Sequence, residues 1–103
     1  MAEKMIAGVS VDVSADGYFT NPSQWTKEMA IEIAKELNTE LGDKHFQVLE
    51  FLRKVHMEGT PLTIRKVGTS GICDIKEFYQ LFPGGPLKNA SKIAGIPKPT
   101  SCV

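Results

Sequence analysis

Val9, Val11 and Val13 alternate with Ser10, Asp12 and Ser14, the period of a half-buried strand. Asp16-Gly17 supplies turn chemistry and Tyr18-Phe19-Thr20 can return antiparallel, so the pattern predicts a short N-terminal hairpin. Two strands alone are marginal, and their apolar face must rest on the helices further along the chain. From Trp25 the period lengthens: Trp25, Met29, Ile33 and Leu37 recur every four residues with Ala30 and Ala34 beside them. That is one buried face of a helix, with Trp25 in the core. Asn21-Pro22-Ser23-Gln24 reads as its start, Asn capping, Pro in the first position and Gln three residues after the cap.

After the polar break Asn38 to Gly42, Asp43 can cap a second helix running to Gly59, in which Val48, Leu49, Phe51, Leu52 and Val55 form a wide apolar surface. This helix is expected to be the most buried. Thr60-Pro61 opens a short third helix through Ile64 and Val67, stopped by Gly68 and Gly71. Asp74 with Glu77 makes a capping pattern for a fourth, whose Ile75, Phe78, Tyr79 and Phe82 share a face. Pro83-Gly84-Gly85-Pro86 ends it and starts a fifth, which stops at Gly95. The fold class is therefore mainly α with a β element (α+β): an orthogonal bundle of about five helices, a small N-terminal β-hairpin and an extended C-terminal arm. Residues 1–95 make one domain and residues 96–103 the arm.

The arm is predicted from two prolines. Pro97 and Pro99 each fix φ and remove a backbone donor, so Ile96 to Val103 is expected to be extended, reaching roughly 25 Å at about 3.1 Å per residue. It carries Cys102. On the residues alone two readings stand: an arm that delivers a thiol into a cleft on another protein, and the commoner frayed terminus with an incidental cysteine. Cys73, just before the fourth helix, is read as a small buried hydrophobe, although a helix N-terminus can also activate a thiol.

Composition narrows the class. At 103 residues the chain can bury a core without staples, and its two cysteines make no disulfide framework. There is no CxxC and no Cys/His cluster at zinc spacing, and His45 and His56 are too far apart to share a metal, so neither metal nor cofactor is expected. No apolar run of signal-peptide or membrane-span length is present, and a cytoplasmic location is expected. Asn89-Ala90-Ser91 spells a sequon without meaning in that setting. The net charge of zero hides an asymmetry: residues 1–52 hold four Lys/Arg against nine Asp/Glu, and residues 53–103 eight against three. A basic second half can steer an acidic partner or RNA toward the arm and favour a thiolate there.

Two short helices joined by Gly68-Thr69-Ser70-Gly71 invite a helix-turn-helix reading, but the second offers only Lys76 and Gln80 amid acids and aromatics, so no DNA partner is expected. Ser101-Cys102-Val103 also has the form that peptide-binding domains accept through a terminal carboxylate, a reading ranked below the carrier. No phosphate loop, nucleophile elbow or acid–base carboxylate pair accompanies the thiol. Any chemistry at Cys102 is therefore stoichiometric.

The stretch LFPGGPLKNASKIAGIPKPTSCV resembles the C-terminal signature of the DsrC/TusE family of sulfur-relay proteins, in which a helix leads into an AG-[LI]-PKP arm and a penultimate cysteine. The likeness extends back through HFQVLEFLRKVHMEGTPLTIRKV to DGYFTNPSQW. The resemblance implies a persulfide on Cys102, and it marks Arg65 and Lys66 as candidates for a partner-binding surface. Lys88, Lys92 and Lys98 join them from the residues near the arm, and Lys88, Ser91, Lys92 and Gly95 fall near one side of the fifth helix. The DsrC members that act with dissimilatory sulfite reductase carry a second arm cysteine eleven positions earlier, where this chain has Ser91. A serine cannot close a disulfide, so the chain looks like the single-cysteine TusE type. The implied partners are sulfur-donor and sulfur-acceptor proteins of the tRNA 2-thiouridine pathway, with tRNA contacted only indirectly and no membrane. The alternative is a DsrC-like gamma subunit or regulator of sulfite reductase.

Overall fold

The computed structural model describes residues 2–60 and 63–98. Two antiparallel strands, β1 (Ala2–Ile6) and β2 (Val9–Val13), precede five helices: α1 (Lys27–Glu36), α2 (Asp43–Met57), α3 (Ile64–Gly68), α4 (Ile75–Leu81) and α5 (Pro86–Ile93). The α+β class expected from the pattern is the one observed.

The hairpin is present, but its first strand differs from the expected one. Val9–Val13 pairs with Ala2–Ile6 in the register Ile6↔Val9 to Ala2↔Val13, and Tyr18 to Thr20 contributes only an isolated bridge, Val13↔Phe19. The connection explains this. Ala7 and Gly8 both have positive φ, 52° and 79°, as a two-residue primed turn requires, although Ala-Gly is a weak sequence signal for it. Asp16-Gly17 instead closes a tight loop, in which Ser14 N–H donates to the Tyr18 carbonyl at 2.7 Å and Gly17 N–H to the Ser14 carbonyl at 2.9 Å. Ile6, Val11, Val13, Tyr18 and Phe19 are buried on the inner side. Lys4 pairs with Glu36 across to α1, and Glu32 accepts from the Ala7 N–H.

Asn21 does cap a turn, but that turn is a single 3-10 turn, Pro22–Gln24, and the helix starts later with Thr26 as its cap, Oγ1 accepting from Met29 N–H at 3.3 Å. Trp25 lies between the two in extended conformation and is half-buried at the core margin. Met29, Ala30, Ile33 and Ala34 supply the buried face of α1.

Gly42, not Asp43, is the cap of α2, and His45 completes that end. The Leu81 carbonyl at 2.9 Å can only accept, so Nε2 carries the proton and Nδ1 accepts from Gly42 N–H at 3.1 Å. The ring also meets Phe82 edge-on at 5.1 Å, tying the start of α2 to the end of α4. The short third helix is capped by Thr63, three residues beyond Thr60, while Pro61 lies outside the described residues. Its last residue, Gly68, is a packing contact: a Cβ there would lie 2.5 Å from Ile75 Cγ1. Asp74 caps α4 as expected, with Oδ1 accepting from Glu77 N–H at 2.7 Å. The expected four-residue face is split, because Phe78 and Phe82 are buried whereas Ile75 and Tyr79 are nearly half exposed.

The most buried helix is α5, not α2. Pro86, Leu87, Ala90, Ser91 and Ile93 are all buried, and α5 packs against α1, α2 and α4. Small side chains at Ala90, Ser91 and Ala94 let its neighbours approach closely, an effect that a count of large apolar residues underrates. Asn89 Nδ2 donates to the Pro83 carbonyl at 2.8 Å and closes the loop before α5.

Candidate functional site

The described part of the site is the place where the chain leaves α5. The first residue expected in the arm, Ile96, is fully buried, and its N–H returns to the Ser91 carbonyl at 3.2 Å. Ile96 therefore packs with the body, and Pro97 and Lys98 are the last described residues of the expected arm. Cys102 and the rest of the expected arm, from Pro99 onward, lie outside the described residues.

A helix end leaves its last carbonyls without intrahelical partners. Here side chains from elsewhere in the chain meet them. Trp25 Nε1–H donates to the Ile93 carbonyl at 2.8 Å. One terminal nitrogen of Arg53 donates to the Ala94 carbonyl at 2.9 Å and reaches the Gly95 carbonyl at 3.5 Å, while the other donates to the Pro22 carbonyl at 2.9 Å. The guanidinium sits 4.3 Å from the Trp25 ring centroid, a cation–π stack. Burial lowers the Arg53 pKa from its ordinary value, although guanidinium remains charged under any ordinary condition. Gly95 has φ of +68° and lies against the Trp25 side chain, leaving no room for a Cβ.

Two of the expected basic residues meet at the Ser14–Tyr18 loop. Lys92 Nζ lies 5.3 Å from the Tyr18 ring centroid and beside Gly17, and Lys98 Nζ pairs with Asp16 at 3.2 Å. Lys88 is exposed one turn before Lys92 on α5. Ser91, expected near the same side as Lys88 and Lys92, is instead fully buried, and its Oγ has no hydrogen-bond partner among the described residues. Arg65 and Lys66 lie on α3, which packs on α2 and α4. Lys66 lines a groove of about 310 Å³ with Phe51, Lys54, Val55, Glu58, Thr69 and Ser70. Arg65 and Lys66 thus belong to a second basic region, borne by a different helix from the arm root.

Cys73 is buried. Burial pushes its thiol pKa up, Glu77 and Asp74 add to the rise, and Lys44 works the other way. The environment is that of a quiet thiol. Among the described residues no group of three His, Cys, Asp or Glu side chains could hold a metal ion, and no helix is long and apolar enough to cross a membrane.

Sequence reasoning missed Arg53. Its only signal is a cation one position after Leu52, at the border of the apolar face of α2, and nothing in that spacing points to carbonyls more than forty residues away. Trp25 was expected as core, and it serves also as a donor and as the platform for Arg53.

A family model described as DsrC-like protein matches residues 5–103. The protein named Sulfurtransferase TusE of Escherichia coli (strain K12) is 34% identical over 104 residues, covering 93% of this chain and 95% of that protein. The solution structure of Allochromatium vinosum DsrC superposes with a TM-score of 0.82 at 33% identity, over 98% of this chain and 97% of the other. The oxidized gamma-subunit of the dissimilatory sulfite reductase (DsrC) from Archaeoglobus fulgidus gives 0.78 at 31% identity, over 99% of this chain and 100% of the other.

Proposed function

Because the chain belongs to the DsrC-like family, we propose that it is a sulfur-relay protein, which carries a persulfide on Cys102 and passes it between partner proteins. The observation that carries the reading is the family match, which runs through residue 103 and takes in Cys102, beside a turn at residues 93–95 that Trp25 and Arg53 cap and Lys92 and Lys98 flank.

In the proposed step the Cys102 thiolate attacks the outer sulfur of a donor cysteine persulfide. A sulfur–sulfur bond forms as the donor's own breaks, the donor cysteine leaves as thiolate, and the proton released on forming the Cys102 thiolate ends on it. One sulfane sulfur moves: the donor cysteine returns to the thiol level as Cys102 rises to the persulfide level, so no external oxidant or reductant is needed. The same exchange toward an acceptor cysteine unloads the carrier. Lys92 and Lys98, together with Lys88, suit an acidic rim on the partner. Arg65 and Lys66 extend the basic surface to a second contact on α3.

Donor and acceptor are proteins of a sulfur-transfer pathway, in keeping with the name Sulfurtransferase TusE of the Escherichia coli relative, and the resemblance of the C-terminal motif points to a cytoplasmic pathway that thiolates tRNA. Ser91 in place of the second arm cysteine weighs against the trisulfide-forming role with sulfite reductase. The test is intact-mass analysis after incubation with a cysteine desulfurase and cysteine. A gain of about 32 Da, one sulfur atom, is expected on the peptide containing Cys102, and Cys102→Ser is expected to abolish it with the fold intact. Normal loading of that variant overturns the assignment.

A further inference from the structure

Helix α4 leaves in solvent two large apolar side chains that its sequence pattern assigns to the buried face. Phe78 and Phe82 are buried, whereas Ile75 and Tyr79 are 46% and 45% exposed. Positions i and i+4 are neighbours on a helix surface, so these two side chains form one ridge. Both ends of the ridge are fixed. Ile75 rests on Gly68, where an added Cβ would lie 2.5 Å from its Cγ1, and Asp74 caps the first turn through the Glu77 N–H at 2.7 Å. At the far end His45 bonds the Leu81 carbonyl at 2.9 Å and meets the Phe82 ring edge-on. A single exposed apolar residue needs no explanation. An adjacent aliphatic and tyrosine on a backbone held at both ends are preorganised, as the anchors of a protein interface are.

The charges around the ridge decide what could cover it. Arg65 is exposed on α3 one turn before Gly68, and Lys76 is exposed next to Ile75. Neither forms an ion pair among the described residues, and neither do Lys54 and Lys66 of the adjoining groove, where Glu58 is the carboxylate. Glu77 is taken by Lys44 at 3.1 Å, and Asp74 is taken by its cap. A second copy of the chain would set Arg65 and Lys76 against like charges. A nucleic acid duplex would use the cations, but base readout asks for polar side chains where α4 presents Ile75 and Tyr79. A protein face with an apolar recess and a carboxylate rim fits both features.

We propose that the ridge of Ile75 and Tyr79, flanked by Arg65 and Lys76, is the surface on which the sulfur-donor protein docks, its apolar recess taking Tyr79 and its carboxylates meeting the two cations. That the occupant is a sulfur donor rests on the sulfur-relay reading. The donor meets the carrier before any sulfur is on Cys102, so recognition at that step has to come from the body of the protein. Affinity then resides on α3 and α4 and chemistry at Cys102, and the two can be measured apart.

The experiment follows sulfur loading of the full chain by intact mass with two sources of persulfide: a cysteine desulfurase supplied with cysteine, and glutathione persulfide, a small donor that needs no docking. Tyr79→Ala removes the aromatic anchor and Lys76→Glu reverses a charge, both at exposed positions. Each is expected to slow loading from the desulfurase about tenfold, the effect of truncating one interface hot spot, and to leave loading from glutathione persulfide at the native rate. Added salt should slow desulfurase loading of the native chain and affect Lys76→Glu less. Unchanged desulfurase loading in both folded variants overturns the proposal. Equal slowing with both sources also overturns it, because the effect would then lie at Cys102. A native chain loaded by glutathione persulfide but not by the desulfurase overturns it as well, since that donor does not dock. A native chain that takes sulfur from neither source overturns the relay reading itself, and with it the sulfur donor as occupant. Sedimentation velocity and the anisotropy of a labelled RNA duplex cover the other occupants. A dimer dissolved by Tyr79→Ala would assign the ridge to a second copy, and duplex binding lost in Lys76→Glu would assign it to nucleic acid, either result overturning donor docking.

Discussion

Gly95 lies so close to Trp25 that a Cβ on it would come within 2.7 Å of the Trp25 Cβ and closer still to the ring, and Gly95 also has φ of +68°. Gly95→Ala therefore combines a left-handed backbone penalty of about 1–2 kcal/mol with overpacking against a ring that is itself held at Ile93 and Arg53. The expected loss is about 3 kcal/mol or more, read from the denaturant midpoint. A loss under about 1 kcal/mol would show that the exit turn is softer than its contacts imply.

Ser91 gives the opposite expectation. Its hydroxyl is fully buried without a hydrogen-bond partner among the described residues, so Ser91→Ala removes an unmet polar group and raises helix propensity. The variant should be neutral or more stable by up to about 1 kcal/mol. A clear destabilisation in the same denaturation assay would mean that the hydroxyl is satisfied in solution.

His45 joins the start of α2 to the end of α4 by accepting from Gly42 N–H and donating to the Leu81 carbonyl. His45→Ala forfeits both bonds and the edge contact with Phe82, for an expected cost of about 2 kcal/mol. Hydrogen exchange should show the loss first at the amides that begin α2, and uniform loss across the chain would argue against a local role.

The buried Cys73 thiol sits above its ordinary pKa, so the folded chain holds its proton where the unfolded chain releases it. Below the unfolded thiol's value this has no effect. As pH rises through and beyond about 9, the unfolded state ionises first and stability falls. Urea midpoints at neutral and alkaline pH should diverge more for the native chain than for Cys73→Ala. Thiol reagents should modify Cys73 much more slowly than a free model thiol.

Lys98 and Asp16 are about half exposed, 48% and 60%, so their ion pair is expected to contribute less than about 1 kcal/mol. Asp16→Asn should change the unfolding free energy by less than that, and the difference should vanish in high salt. The hydrogen bonds of Trp25 and Arg53, by contrast, hold the turn behind it.

Element types and their order were legible because each depends on short-range physics. The strand period at Val9–Val13, the Asp74 cap and the Pro86 start could be read along the chain, and the arm signature PLKNASKIAGIPKPTSCV pointed to the family. The strand partner was not legible, since Ala7-Gly8 makes its turn through φ values that the residue names barely advertise. Nor was the burial rank of α5, which depends on small side chains admitting neighbours from three other helices.

By itself, then, the sequence determined which segments are helical, that a single thiol lies beyond two prolines, and which family the chain joins. Those are properties of neighbouring residues and of a contiguous motif. Only the tertiary structure decided that Ile96 belongs to the core, that Ser91 is sealed away, and that Trp25 and Arg53 meet at the carbonyls that close α5. Each is a contact between distant segments, set by how the helices pack, and no local pattern encodes the angle at which they cross.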